Sequence, residues 1–237
     1  MTTTLITGAN RGLGLETARR LVAAGHTVYL GARDERRGRE AAERLGDAAR
    51  PLRIDVTSDD SVKAAADRVA EEAGRLDVLV NNAGIAGPYG EAGDLTADDL
   101  RAVYDTNVLG AVRVLNAFLP LLRAARAPVV VNVSSGLGSL GMNADPEGHT
   151  DLLPVYVPAL AYNSSKAALN MLTLLYARAC PGIRVNAVDP GYTATDLNGH
   201  SGLQSVEEGA EVIVRMAMTG PDGPTGGFFG NHGPLPW

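Results

Sequence analysis

Short apolar runs alternate with longer segments in which apolar residues recur every three or four positions, and this rhythm holds over most of the 237 residues. The runs are Thr3–Thr7, Thr27–Leu30, Pro51–Ile54, Leu76–Asn81, Pro128–Val133 and Ile183–Val188. Between them lie amphipathic segments at Gly12–Ala24, Glu35–Leu45, Ser58–Ala73, Ala97–Ala125 and Tyr162–Cys180. Apolar strands separated by helix-length stretches predict βαβ units wound around a parallel sheet. End signals agree with this reading. Thr57-Ser58-Asp59-Asp60 and Thr96-Ala97-Asp98-Asp99 place a capping side chain and first-turn acids at two helix starts, and Gly25 and Gly46 fall at two helix stops. No linker, low-complexity tract or internal repeat interrupts the pattern, so residues 1–237 are expected to form one doubly wound α/β domain. Gly136–Leu160 breaks the rhythm as a Gly/Pro-rich stretch, Asn198–Ser205 as a polar loop, and Gly223–Gly230 offers one last short strand.

Charge and composition narrow the function. The net charge is −6 with Arg scattered among Asp and Glu, so no basic stripe invites nucleic acid. No run approaches the roughly 18 apolar residues of a membrane span. Met1–Gly8 leads straight into the first strand without a charged leader, and the single Cys180 fits a reducing compartment, so a cytoplasmic protein is expected. Asp145, Glu147, His149 and Asp151 alternate in a Gly/Pro loop and are read as solvated rather than as metal ligands. His26, His200 and His232 are read as structural or exposed.

Tyr162 and Lys166 stand four apart on a predicted helix, which sets the ammonium beside the phenol. A nearby cation lowers a phenol pKa and suits it to proton exchange with a substrate oxygen. The chain has 19 Arg but only two Lys, Lys63 and Lys166, so the compact charge at 166 is notable. Thr7-Gly8-Ala9-Asn10-Arg11-Gly12-Leu13-Gly14 turns the first strand into the first helix, where glycines and free N–H groups receive a pyrophosphate. At the end of the second strand comes Gly31-Ala32-Arg33-Asp34. There an Arg accommodates the 2′-phosphate of NADP and an acid holds the ribose of NAD; Arg33, with Arg11 as a second cation, favours NADP(H). Asp34 also reads as the N-cap of the next helix. Asn81-Asn82-Ala83-Gly84 ends the fourth strand, and Asn132-Val133-Ser134-Ser135 the fifth, with Ser135 placed to donate to a substrate oxygen. After the sixth strand Pro190, Gly191, Thr193 and Thr195 offer amides and hydroxyls to a carboxamide.

Taken together, these motifs resemble the short-chain dehydrogenase/reductase family in its short branch, over essentially the whole chain. The resemblance implies a Rossmann fold with a seven-stranded parallel sheet. It also implies a tetrad at Asn107, Ser135, Tyr162 and Lys166. In it Tyr162 is the general acid/base, Ser135 binds the reacting oxygen, and Lys166 holds the nicotinamide ribose and depresses the tyrosine pKa. Asn107, in Tyr104–Gly110, kinks its helix and holds a relay water; Asp55, followed by Val56, contacts the adenine. Ser134 and Ser135 are both candidates in the strand, and the family alignment selects the second.

The 26 residues between Ser135 and Tyr162 exceed the dozen usual in the short branch, which is similar to carbonyl-reductase-like members. Met142, Leu152, Leu153, Val155, Tyr156, Val157 and Leu160 could wall a substrate pocket or cover a helix pair. The expected activity is NADPH-dependent reduction of a small ketone, aldehyde or quinone. The rivals are an NAD-linked alcohol dehydrogenase and a non-catalytic NADP-binding regulator. The insertion, together with the cost of burying Arg113 or Arg123 at a seam, tips the expected assembly toward a monomer over a homodimer or homotetramer.

Overall fold

A computed structural model describes residues 1–237. Its sheet runs in the order β3-β2-β1-β4-β5-β6-β7-β8. The strands are β1 Thr2–Thr7, β2 His26–Ala32, β3 Ala49–Arg53, β4 Val78–Asn81, β5 Val129–Val133, β6 Arg184–Val188, β7 Phe228–Gly230 and β8 Gly233–Pro234. The first seven are parallel, and β8 turns back antiparallel on β7. The expected seven parallel strands are present, and this two-residue return is an addition to them.

Both faces of the sheet are covered because consecutive side chains point to opposite sides and nearly all are apolar. Leu5, Tyr29, Leu79, Val130 and Val185 face one layer, which buries Val62, Val69, Val114, Phe118 and Leu122. That layer includes α3 (Asp59–Ala73) and α5 (Gly110–Arg123). Ile6, Val28, Leu30, Val80, Val131 and Val188 face the other, with Ala18, Leu21, Ala41, Val212, Ile213 and Met216. These come from α1 (Gly12–Ala23), α2 (Glu35–Glu43) and α8 (Val206–Ala217). No helix is long and apolar enough to cross a membrane.

Three elements differ from expectation. The segment Ala97–Ala125 is not one helix: α4 (Ala97–Tyr104) and α5 are joined by a π turn at Asp105–Leu109, centred on Asn107. Helix α8 was not anticipated, although Ser205 and Glu208 form a reciprocal capping box at its start. α7 (Leu160–Ala179) begins two residues earlier than predicted.

The insertion holds a short helix, α6 (Leu140–Ala144), and its apolar residues divide. Met142 and Leu153 pack with Phe228, and the Phe228 ring stacks on Trp237 at 5.5 Å. The expected cover over the helix pair is incomplete: Leu109, Met171 and Leu175 stay about half exposed, at 49%, 54% and 51%. Arg113 is already paired with Asp105 at 2.7 Å and Asp59 at 3.1 Å. This partnering removes the desolvation cost assigned to Arg113, and so part of the argument for a monomer.

Candidate active site

Strand order reverses between β1 and β4, and the carboxyl ends of the strands open there into a cleft of about 950 Å³. The glycine turn after β1 is shaped by close approach. Gly8 takes a left-handed φ of +65°. A Cβ on Gly14 would stand 2.6 Å from both the Asn82 amide nitrogen and the Gly8 carbonyl. Asn82 itself donates to the carbonyls of Thr7 and Gly8, at 2.8 and 3.2 Å. The Thr7 hydroxyl accepts from the N–H groups of Asn82 and Ala83, both at 3.0 Å. The turns after β1 and β4 are therefore one hydrogen-bonded unit. Gly8, Asn10, Arg11, Gly12, Leu13 and Gly14 line the cleft with Asn82, Ala83 and Gly84.

Arg33, Asp55 and Val56 line the same end. Asp55 accepts from the Thr57 N–H and hydroxyl, which outweigh its burial and, with Arg33 and Arg113 nearby, lower its pKa. Arg33 is exposed and takes part in no ion pair. Asp34 caps α2, accepting from the Arg37 N–H at 3.0 Å. Arg11 differs from expectation: its guanidinium pairs with Asp196 at 3.1 Å, across the cleft mouth. Both partners are exposed, so the pair is weak and exchangeable.

The floor is formed by α7 and the turn after β5. Lys166 is buried and donates to the Val133 carbonyl at 2.7 Å; its Nζ lies 5.5 Å from the Tyr162 ring centre. Ser135 faces the cleft and accepts from the Leu137 N–H at 3.2 Å. The neighbouring Ser134 hydroxyl is spent in the core, donating to Asn170 Oδ1 at 2.6 Å. Asn107 stands behind the floor. Its amide donates to the Ile85 carbonyl at 2.9 Å and to the Ser165 hydroxyl at 3.0 Å, while its oxygen accepts from the Ile85 N–H at 2.9 Å. It thus ties the Gly84–Ile85 segment to the start of α7. Pro190, Gly191, Thr193 and Thr195 complete the wall.

Electrostatics differ from the simple Tyr–Lys expectation. Burial pushes the Tyr162 phenol well above its ordinary range, the carboxylate of Asp189 adds to this, and the Ser135 hydroxyl opposes it. Burial draws Lys166 down to about 8, against the pull of Asp189. Desolvation dominates the phenol, and Lys166 does not depress it here.

Sequence reasoning assigned no role to Asp189. It also missed Tyr89, Leu203, His232 and Leu235, which reach the cleft from separate loops. Within the insertion, Leu152, Leu153, Pro154, Val155 and Val157 form a cleft wall, while the Met142 side chain is fully buried with Leu153 and Phe228.

The short chain dehydrogenase family matches residues 2–147 and 152–205. A short-chain dehydrogenase of Penicillium roqueforti is 38% identical, covering 91% of this chain and 88% of that protein. A (+)-neomenthol dehydrogenase of Arabidopsis thaliana is 36% identical over 95% of this chain and 94% of its own length. The structure of NADPH-bound carbonyl reductase from chicken fatty liver superposes with a TM-score of 0.87 at 29% identity, covering 100% of this chain and 99% of that one. The chain belongs to the short-chain dehydrogenase/reductase family, and it is an oxidoreductase of the carbonyl-reductase-like kind.

Proposed function

We propose that the protein is an NADPH-dependent reductase of uncharged, apolar carbonyl compounds. The observation that carries this reading is the cleft floor, where the Tyr162 phenol stands among the Ser135 hydroxyl, Lys166 and an apolar wall. A phenol that burial keeps protonated is suited to give a proton to a carbonyl oxygen, and a hydroxyl beside it to polarise that oxygen. When bound, the reduced nicotinamide supplies hydride to the carbonyl carbon. The chain positions the reactants, excludes water and delivers the proton from the Tyr162 oxygen.

The glycine cradle supports a dinucleotide, since its closest approaches leave space only for backbone. Arg33 supports the 2′-phosphate: it is exposed at the cleft and unpaired, while Asp34 is engaged as a helix cap. The chicken carbonyl reductase is described with NADPH bound, which agrees. The substrate end is walled by Ile85, Leu152, Leu153, Val155, Val157 and Leu203, with Asp151 and the Arg11–Asp196 pair also on the cleft lining. This mostly apolar wall favours an uncharged substrate. The single buried Cys180 thiol supports a cytoplasmic setting.

The test is nicotinamide absorbance during turnover on a panel of ketones, aldehydes, quinones and keto acids, with NADPH and NADH in parallel. Turnover of the uncharged members with a lower KM for NADPH is expected. No turnover of any member by a protein that binds NADPH would refute the reading.

A further inference from the structure

The insertion between β5 and α7 forms one wall of the cleft, and few bonds hold it in place. Beyond its own loop and α7, Ser139–Val157 makes one hydrogen bond: the Gly141 N–H donates to the Trp237 carbonyl oxygen at 2.8 Å. The fit is close, since a Cβ on Gly141 would stand 3.2 Å from that oxygen. On the α7 side Asn163, the neighbour of Tyr162, donates to Asn143 Oδ1 at 3.3 Å and to the Val157 carbonyl at 2.9 Å.

Trp237 reaches the insertion by way of β8. The Leu235 N–H donates to the Phe228 carbonyl at 2.8 Å, so the segment after Gly233 folds back along β7. The Trp237 ring then stacks on Phe228, with centroids 5.5 Å apart and planes 22° from parallel. Phe228 packs with Met142 and Leu153 in a small apolar cluster distinct from the two layers that cover the sheet. This cluster has two sides. Leu137, Leu152, Leu153 and Leu235 also line the cleft, whereas Met142, Phe228 and Trp237 do not. Leu153 reaches the reacting end: a Cβ on Gly136, the residue after Ser135, would stand 3.3 Å from Leu153 Cδ1.

We propose that Trp237 is a positioning residue for the substrate: from outside the cleft, its ring on Phe228 and its carbonyl on Gly141 hold the insertion as a fixed apolar wall, so that Leu152, Leu153 and Leu235 stand in place before a carbonyl compound binds. The proposal rests on the reductase reading of this site. A satellite cluster of this size depends for its order on each piece that closes it. A wall that is loose in the free protein must be ordered on binding, which weakens substrate binding and leaves the proton donor and the glycine cradle as they were. Trp237 is the residue to change, because Leu153 and Leu235 face the cleft themselves and their loss would mix contact with position.

Trp237→Ala removes the stack, and Trp237→Phe keeps a ring in its place. Hydrogen exchange followed by mass spectrometry on the full chain should show residues 139–157 exchanging at least about fivefold faster in Trp237→Ala, with Gly8–Gly14 unmoved. On the carbonyl that the parent protein reduces best, its KM should rise about three- to tenfold, the cost of ordering one or two wall side chains on binding, with kcat within about twofold and the KM for NADPH unchanged. Trp237→Phe should restore both exchange and KM. A folded Trp237→Ala with parent exchange across residues 139–157, or with the parent KM for the carbonyl, overturns the proposal, and so does a loss confined to kcat. Should Trp237→Ala not fold, Trp237→Leu keeps apolar bulk without the stack and takes its place; unfolding of both also overturns the proposal, leaving Trp237 a core residue alone. The exchange measurement needs no turnover. A parent protein that reduces no carbonyl therefore counts against the reductase reading, while exchange still decides whether Trp237 holds this wall.

Discussion

Replacing Ser134 and Ser135 by alanine, one at a time, separates two adjacent hydroxyls that the turn after β5 sends to different places. Ser134 donates to Asn170 Oδ1 at 2.6 Å, and both residues are buried. Asn170 uses its amide nitrogen on the Gly138 carbonyl at 3.1 Å, so removing the Ser134 hydroxyl leaves its oxygen without a donor in the core. An unsatisfied buried acceptor costs about 1–3 kcal/mol. At this chain length each kcal/mol lowers Tm by about 2–4 °C. Ser135 faces the cleft and accepts only from the Leu137 N–H at 3.2 Å, as the cap of a three-residue turn. Its loss should cost no more than about 1 kcal/mol of stability. It should, however, reduce kcat by about 10²-fold or more, the usual effect of removing one donor to a reacting oxygen. Thermal melts followed by circular dichroism, with steady-state turnover on the same preparations, read both quantities. Ser134→Ala should melt early with kcat within a few-fold of the parent, and Ser135→Ala should do the reverse. A full loss of turnover in Ser134→Ala with an active Ser135→Ala would refute the assignment of roles.

Three further outcomes are expected. Arg33→Ala should raise the KM for NADPH while leaving that for NADH nearly unchanged, shrinking the preference at least about tenfold if a charge-assisted bond to phosphate is lost; equal effects on both cofactors would count against the 2′-phosphate role. Gly14→Ala should weaken NADPH binding in a fluorescence titration and lower Tm, because its Cβ meets Asn82 and the Gly8 carbonyl at 2.6 Å, an overpacking that costs about 1–3 kcal/mol. Lys166 has a native pKa of about 8, below the unfolded value of 10.5, so between these values the unfolded chain binds more protons and the stability contribution of this group rises with pH. Melts in that range should show the rise, and Lys166→Met should abolish it.

Much of this architecture was legible because each strand is an unbroken apolar run and most helix ends carry their own chemistry. Ser58 and Thr96 do cap their helices, and Gly25 and Gly46 do take left-handed φ values of 87° and 84°. What escaped depends on partners distant in sequence. The apolar period runs unbroken through Asp105–Leu109, and the π turn becomes apparent only once Asn107 is seen bound to Ile85 and Ser165. Arg11 reads as a free cation until the loop after β6 brings Asp196 to it. Asp189 reads as part of a turn because nothing local marks a buried carboxyl that accepts from the Gly191 N–H at 3.0 Å. Helix α8 was overlooked although its capping box was written in Ser205 and Glu208, since the polar loop before it drew the reading toward irregular structure.

The central claim is that the Tyr162 phenol supplies the proton to a carbonyl at this cleft, and Tyr162→Phe tests it most directly. The substitution removes one oxygen from a partly buried ring and leaves Lys166, Ser135 and the glycine cradle in place. NADPH affinity and Tm should stay close to the parent, while the rate of carbonyl-dependent NADPH oxidation falls by about 10²–10⁴-fold, the range for a lost general acid. A folded, NADPH-binding Tyr162→Phe protein that reduces carbonyls at near the parent rate would contradict the account.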